Sequence, residues 1–353
     1  MPETKGREYS LDFLKIVGTV LILLHHYQGT FGVHYGPVDF ATGKFYFGNI
    51  VELFFMLSGY FASAYIERIY DGLSFKEYFL NRLIRLVPLM FISTFVWTVC
   101  YAVLWKGNGI ELWKAVVTAF GVQSGGMFNE TFTNSHFWFL SVLIICYAVF
   151  YLATKLSRNK GFDCRYAYLA MIILGTSAVS YGFNFPFLNV SAGRGYMAFF
   201  IGTLVALSLN GKTVTKGIAA LCASIVAAGL LLIVFKWDWV SCGINYLLCF
   251  FFYPALIVLF KSPGIEKALK WRFLGTLAGI SFNAYIWHLE FNFLSRALWE
   301  TLGITINYES VLTEIINLII EFGIGALSHY FIEIPVTAKL KKLIFAEYGD
   351  TLQ

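Results

Sequence analysis

Long apolar runs recur along the whole chain, and each is long enough to cross a lipid bilayer as a helix. A bilayer core about 30 Å thick needs about 20 consecutive apolar residues, and about ten such runs are present. Because unpaired backbone groups are not tolerated in hydrocarbon, the sequence predicts an all-α, polytopic transmembrane helix bundle. The runs begin near Ser10, Gly48, Leu86, Phe137, Arg165, Gly195, Thr213, Val240, Leu274 and Ser310.

The composition is that of a protein whose surface faces lipid. Of the 353 residues, 58% are hydrophobic and 13% are charged, whereas soluble domains carry about 25% charged residues. The net charge of +5 is explained by loop bias, so we expect no nucleic-acid binding. The six cysteines are scattered without the spacing of a metal site, so we interpret them as packing residues and expect no metal.

We predict a single integral-membrane domain over residues 1–353, with both termini in the cytoplasm. When the spans alternate from a cytoplasmic N-terminus, most of the 26 Lys and Arg residues fall in cytoplasmic segments. The connections are short, except for an extracytoplasmic one over residues 106–136. Within it, the stretch 111–122 is apolar but too short to span, which fits a re-entrant or interfacial helix.

The first predicted span carries ionisable residues, which are costly in hydrocarbon and therefore indicate a functional site. Lys15 and His26 are eleven residues apart, and eleven residues of an α-helix return almost to the starting direction. His25 points well away from that shared face. We therefore predict that His26, rather than His25, is the reactive imidazole.

Depth along the predicted spans brings further groups to the level of His26. His26 lies about 24 Å into a core about 30 Å thick, and His288 about 21 Å up its own span. Glu52 and Glu314 each lie about 6 Å below the outer face, and His136 begins a span there. A carboxylate at this level could orient a general base. Alternatively, His288 could be a packing residue and Glu314 part of a polar seam between helices.

Two arginines lie near the inner face, close to the level of Lys15. Arg82 and Arg85 are three residues apart on one face of a predicted helix. Clustered cations of this kind suit a phosphorylated ligand. As isolated residues, however, they are more simply explained as positive-inside anchors.

Seven short motifs follow one another along the chain, and together they resemble the integral-membrane acyltransferase family 3 over most of its length. Each motif is weak alone, but seven in order at this number of spans are a strong pattern. The family usually has Arg where Lys15 stands, so this chain keeps the charge and loses the bidentate fork. The motifs are Lys15 and His26; Glu52 to Tyr60; Arg82, Arg85 and Pro88; His136 to Ser141; Phe200 to Gly202; Ser281 to His288; and Glu333 to Pro335.

The resemblance implies an acyl-CoA donor, usually acetyl-CoA, and transfer to a hydroxyl group, commonly of a cell-envelope sugar. We therefore expect a multi-pass protein of the bacterial cytoplasmic membrane, whose partners are acyl-CoA, an extracytoplasmic carbohydrate and the bilayer. The sequence separates neither acetyl from larger acyl groups nor a monomer from a homodimer. A non-enzymatic exporter or flippase of surface polysaccharide is the alternative function.

The predicted site has three parts, which a continuous cavity from Arg85 past His26 to Trp138 should connect. His26 would act as a general base or as a transient acyl carrier, oriented by Glu52 or Glu314. Aromatic rings at the outer rim suit the apolar faces of a sugar. The predicted residues are, for the chemistry, His26, Glu52, His288 and Glu314; for acyl-CoA, Lys15, Arg82 and Arg85; and for the acceptor, His136, Trp138, Arg194 and Tyr285.

Overall fold

Helices account for almost all of the regular structure. The computed structural model describes residues 7–35, 39–41, 46–104, 111–125, 134–235 and 243–345. A short antiparallel ribbon pairs β1 (Asn184–Phe185) with β2 (Leu188–Asn189). The α-helices are α1 (Tyr9–Phe31), α2 (Val51–Ala62), α3 (Ile66–Tyr70), α4 (Phe75–Leu104), α5 (Leu112–Ala119), α6 (Trp138–Lys160), α7 (Cys164–Ser180), α8 (Val190–Leu209), α9 (Lys216–Phe235), α10 (Ile244–Leu247), α11 (Tyr253–Phe260), α12 (Pro263–Ala268), α13 (Arg272–Thr301), α14 (Val311–Ser328) and α15 (Ile334–Phe345).

Among the described residues, seven helical stretches are long and apolar enough to cross a membrane. Two shorter apolar helices and the 30-residue helix α13 lie between them in the sequence. The prediction of an all-α polytopic bundle is confirmed, while the number of spans and the cytoplasmic location of both termini remain predictions. The seven stretches are Tyr9–Phe31, Phe47–Tyr70, Phe75–Val103, Ser135–Lys160, Val190–Leu209, Lys216–Phe235 and Val311–Phe345.

The outside of the bundle is apolar, as a lipid-facing surface requires. Large apolar side chains such as Phe95, Ile173 and Phe331 are exposed. Helix α9 lies at the periphery, since only 6% of its apolar stretch is buried inside the protein. Ionisable groups within the apolar helices, such as Glu52, His288 and Glu290, are instead enclosed inside the bundle.

Helices α2 and α8 approach so closely that only glycine fits at two positions. A Cβ atom on Gly59 would overlap the carbonyl oxygen of Phe199, and a Cβ atom on Gly202 would overlap that of Met56. Because lipid provides no hydrophobic force between helices, close backbone approach through small residues is a main source of their association. This contact fixes α2 against α8 beside the site.

Helix α5 occupies the middle of the long predicted connection. It has eight residues, packs on α4 through Ala115 and Thr118, and exposes Leu112 and Val116. An eight-residue helix cannot span a bilayer, and its location as a re-entrant or interfacial helix stays a prediction. The rest of the 106–136 connection lies partly outside the described residues.

Candidate functional site

A cavity of about 430 Å³ lies between α1, α2, α4, α6 and α13. At its far end it is lined by Ile22 and Tyr285. These residues lie about one helical turn before His26 and His288, respectively. The cavity therefore ends about one turn from both histidines. At its near end, which we call the basic end, it is lined by Arg7, Lys15, Arg82 and Arg85.

The cavity corresponds to the inner part of the continuous passage expected from the sequence. It extends from Arg85 to Tyr285. Neither His26 nor Trp138 is among its lining residues in the described part of the chain. The continuous passage expected from Arg85 past His26 to Trp138 is therefore not seen among the described residues.

Three histidines meet beyond the far end of the cavity. His26 of α1, His136 of the turn before α6, and His288 of α13 form what we call the histidine cluster. The ring centroids of His26 and His288 are 5.0 Å apart, and those of His136 and His288 are also 5.0 Å apart. His136 and His288 are buried, while His26 keeps partial exposure. The structure thus brings together three residues that depth along separate spans placed at one level.

The hydrogen bond of His288 determines which of its two ring nitrogens carries the proton. Nδ1 lies 2.7 Å from the carbonyl oxygen of Tyr285, which can only accept, so Nδ1 carries the proton and donates it. In a neutral ring Nε2 then bears the lone pair, and it has no hydrogen-bond partner among the residues that the structure describes. Both ring nitrogens of His136 are likewise buried, with no partner at hydrogen-bond geometry in the described part of the chain. Unpaired imidazole nitrogens at this position suit the removal of a proton from a hydroxyl group.

His25 is held on the other side of α1 by a hydrogen bond of its own. Its Nδ1 lies 2.6 Å from the carbonyl oxygen of Phe40, and its ring packs edge-on against Tyr46. The ring also contacts His26, with centroids 5.0 Å apart. Of the two neighbouring histidines, His26 is the one whose ring packs against His288.

Glu52 pairs with a cation rather than with a histidine. Its carboxylate accepts a hydrogen bond from Nε of Arg194 at 2.5 Å, and this guanidinium lies 4.7 Å from the ring centroid of Trp138. Glu52 is nearly inaccessible, with 2% exposure, so its charge needs that partner. The ion pair joins α2 to α8, and the contact with Trp138 adds α6. Arg194 and Trp138 therefore lie side by side on one surface.

Glu314 lies in a different part of the bundle. It is buried on α14 beside Gln28 and Tyr35. In the residues that the structure describes, no hydrogen bond joins His26 to Glu314 or to Glu52. The group that orients the cluster is therefore the Tyr285 carbonyl, which accepts a hydrogen bond from His288. The orienting role expected of Glu52 and Glu314 is not supported by a direct contact with His26 among the described residues.

Tyr285 also positions a second member of the histidine cluster. Its hydroxyl group donates a hydrogen bond to the backbone carbonyl of His136 at 2.7 Å. Its side chain also lines the cavity. The residue predicted to contact the acceptor thus links α13 to the turn that carries His136.

Three of the four cations of the basic end contact carboxylates. Lys15 lies 3.0 Å from Asp12, which also accepts from Arg7. Arg85 lies 2.9 Å from Glu333 and is about half exposed. These pairs reduce the net charge that the three cations offer to a ligand.

Arg82 is in a different situation. Its guanidinium lies over the rings of Tyr65, Tyr78 and Tyr147, at 4.1, 4.9 and 5.4 Å from their centroids. The described residues place no carboxylate within ion-pair distance of it. Ring faces stabilise a cation without neutralising it, so Arg82 keeps a full positive charge at the entrance of the cavity.

Sequence patterns did not single out Glu290, which is buried two residues after His288. Its carboxylate accepts hydrogen bonds from Ser93 and, at 2.7 Å, from Asn134. Asn134 has a left-handed backbone with φ 52° and opens the turn that carries His136. Glu290 thus anchors this turn to α4 and α13. Its position inside an apolar span was a signal that could have found it.

Comparison with known proteins bears on the whole of this site. A family model described as an acyltransferase domain matches residues 8–338 of the chain. Comparisons with curated proteins and with solved structures gave no match. The matched stretch contains the histidine cluster together with Lys15, Arg82 and Arg85.

Proposed function

The chain belongs to the integral-membrane acyltransferase family 3, and from that premise we propose that it transfers an acyl group from acyl-CoA to a hydroxyl group of a carbohydrate. The observation that carries the proposal is the cavity. It begins at cations, among them the unneutralised Arg82, and ends about one helical turn from His26 and His288.

The shape and polarity of the cavity support an acyl-CoA donor. Such a donor has phosphates at one end, a long flexible arm and a thioester at the other end. Phosphates suit Arg82, since guanidinium groups form strong charge-assisted hydrogen bonds with them. The walls between the two ends include Phe54, Leu57 and Leu143. Lys15 and His26 are about 16.5 Å apart along α1. An extended arm of the donor could bridge this distance.

The histidine cluster would perform the transfer. A histidine nitrogen removes the proton from the acceptor hydroxyl group, and the hydroxyl oxygen attacks the thioester carbonyl carbon. The C–S bond breaks, and CoA leaves as a thiolate that takes a proton from the imidazolium. We assign the base role to His26, which is partly exposed, and a positioning role to His288 and His136. The smallest common donor, acetyl-CoA, is the one we propose.

The acceptor would approach from the side of Trp138 and Arg194. An indole ring packs well against the apolar face of a sugar, and a guanidinium group donates several hydrogen bonds to its hydroxyl groups. The pairing of Arg194 with Glu52 holds the donor groups in place. We propose a cell-envelope carbohydrate, acylated on the outer side of a bacterial cytoplasmic membrane.

Purified protein in nanodiscs tests the proposal. Calorimetry should detect binding of acetyl-CoA, and an envelope-carbohydrate fraction should then produce free CoA thiol and an O-acetyl ester. A non-enzymatic exporter would give neither. Absence of both acetyl-CoA binding and thiol release would contradict the proposal.

A further inference from the structure

A second cavity adjoins the first at the basic end. It has a volume of about 460 Å³ and is formed by α3, the start of α4 and the end of α15. Tyr65, Asn81 and Arg82 line both cavities. Arg82, the cation without a carboxylate partner, therefore stands where the two spaces meet.

The second cavity carries an excess of positive charge. Arg68, Arg82 and Lys341 line it, against the single carboxylate of Glu77. Arg68 and Glu77 are 4.0 Å apart, and the Arg68 side chain is 53% exposed, so their attraction is weak. The described chain provides no ion-pair partner for Lys341. A ligand with several negative charges would be stabilised here.

Planar groups lie in the same cavity as these cations. Tyr65 lines it and is partly exposed, and the Arg82 guanidinium lies 4.1 Å from its ring centroid, whereas the neighbouring Tyr78 is buried. Tyrosine rings and arginine planes are the surfaces on which nucleic-acid bases stack. Cations and planar surfaces together are complementary to a nucleotide.

We propose that the second cavity binds the nucleotide end of the donor, adenosine 3′-phosphate 5′-diphosphate. Arg68 and Lys341 contact its phosphates, and Arg82 holds the phosphate from which the arm enters the first cavity. This proposal rests on acyl-CoA as the donor. It assigns binding roles to Arg68 and Lys341, two exposed residues that otherwise look like positive-inside anchors.

The test is calorimetric titration of the full-length protein in phosphatidylcholine nanodiscs. Arg68→Gln and Lys341→Gln should each weaken CoA binding about tenfold, the factor that corresponds to about 1.4 kcal/mol. Pantetheine, which lacks the nucleotide, should bind all variants with equal affinity. Adenosine 3′,5′-bisphosphate should compete with CoA in the wild type and less well in both variants. Lys342→Gln is the matched control, because Lys342 is exposed on α15 and does not line the cavity.

The outcomes separate this proposal from the proposed function and from a lipid site. If the wild type binds CoA and neither substitution changes the affinity, the nucleotide site is overturned but the proposed function is not. Failure of the wild type to bind CoA, pantetheine or the bisphosphate would overturn the donor assignment as well. Titrations with phosphatidylglycerol test whether the cavity instead binds the phosphate of a lipid headgroup. If the variants lose phosphatidylglycerol binding but keep their CoA affinity, the cavity is a lipid headgroup site. Unchanged thermal unfolding verifies that each variant is folded.

Discussion

His25 and His26 are adjacent in the chain, yet the structure gives them different neighbours. His26 should be indispensable, because general-base catalysis contributes about 10² to 10⁴ in rate. His26→Ala should therefore lose acyl transfer by at least about 10²-fold while the protein stays folded in the membrane. His25→Ala should keep most of the activity, since His25 is bonded to the Phe40 carbonyl. Rates of transfer by the two purified variants decide the matter, and the reverse order would contradict the assignment.

Substitutions of Arg82 and Arg85 should have different effects on donor binding and on stability. Arg82→Gln should weaken acetyl-CoA binding about tenfold or more, because an unneutralised cation loses a charge-assisted contact of about 1.5–3 kcal/mol. Arg85→Gln should affect donor binding less and thermal stability more, because the buried Glu333 loses its arginine partner and keeps only His329 and Asn283. Titration with acetyl-CoA and thermal unfolding of both variants provide the two readouts. Equal donor affinities in both variants and the wild type would return these arginines to the role of topological anchors.

Helical phase and depth were enough to predict which histidines meet. The eleven-residue spacing from Lys15 identified His26, and depth placed His136 and His288 at its level. Depth could not predict the partners of the carboxylates, because it specifies a level in the membrane and not which neighbouring helix faces a side chain. Glu52 shares the level of His26 and yet faces Arg194 of α8.

At the scale of the helices, the contact between α2 and α8 holds the Glu52–Arg194 pair in register. Gly202→Ala should lower the free energy of unfolding by about 1–3 kcal/mol, because the new methyl group must displace the backbone of α2. Gly217→Ala is the matched control, since nothing lies within 4 Å of a Cβ atom there. It should be neutral or slightly stabilising, as alanine favours a helix over glycine. Thermal unfolding of both variants in detergent measures the difference. Equal stabilities of Gly202→Ala and Gly217→Ala would contradict the close contact between α2 and α8.

Helix boundaries were less predictable than helix existence. The span expected from Gly48 is continuous in composition, but the structure divides it into α2, a 3-10 turn over Ser63–Tyr65, and α3. Apolar runs report where a chain can be buried and not where its hydrogen-bond pattern changes. This division matters for function, because Tyr65 in the turn lines both cavities.

At the scale of the whole molecule, transfer across the membrane requires that the basic end and the connection between α13 and α14 lie on opposite faces of the membrane. Lys342→Cys and Glu309→Cys, both at exposed positions, should react with an impermeant thiol reagent from opposite sides. The background must lack the six native cysteines. Lys342→Cys should label from the cytoplasmic side, as the distribution of Lys and Arg predicts. Labelling of both from one side would contradict the topology.

Sided transfer in sealed vesicles tests directly whether the donor reaches the histidine cluster from the basic end. Labelled acetyl-CoA is supplied to one face, and label is then sought in the envelope carbohydrate on the other face. Label should appear only when the donor is on the face of Lys342, and His26→Ala should abolish it without changing insertion. Label that appears when the donor is on the opposite face, or that is unchanged in His26→Ala, would contradict a donor path from the basic end to the histidine cluster.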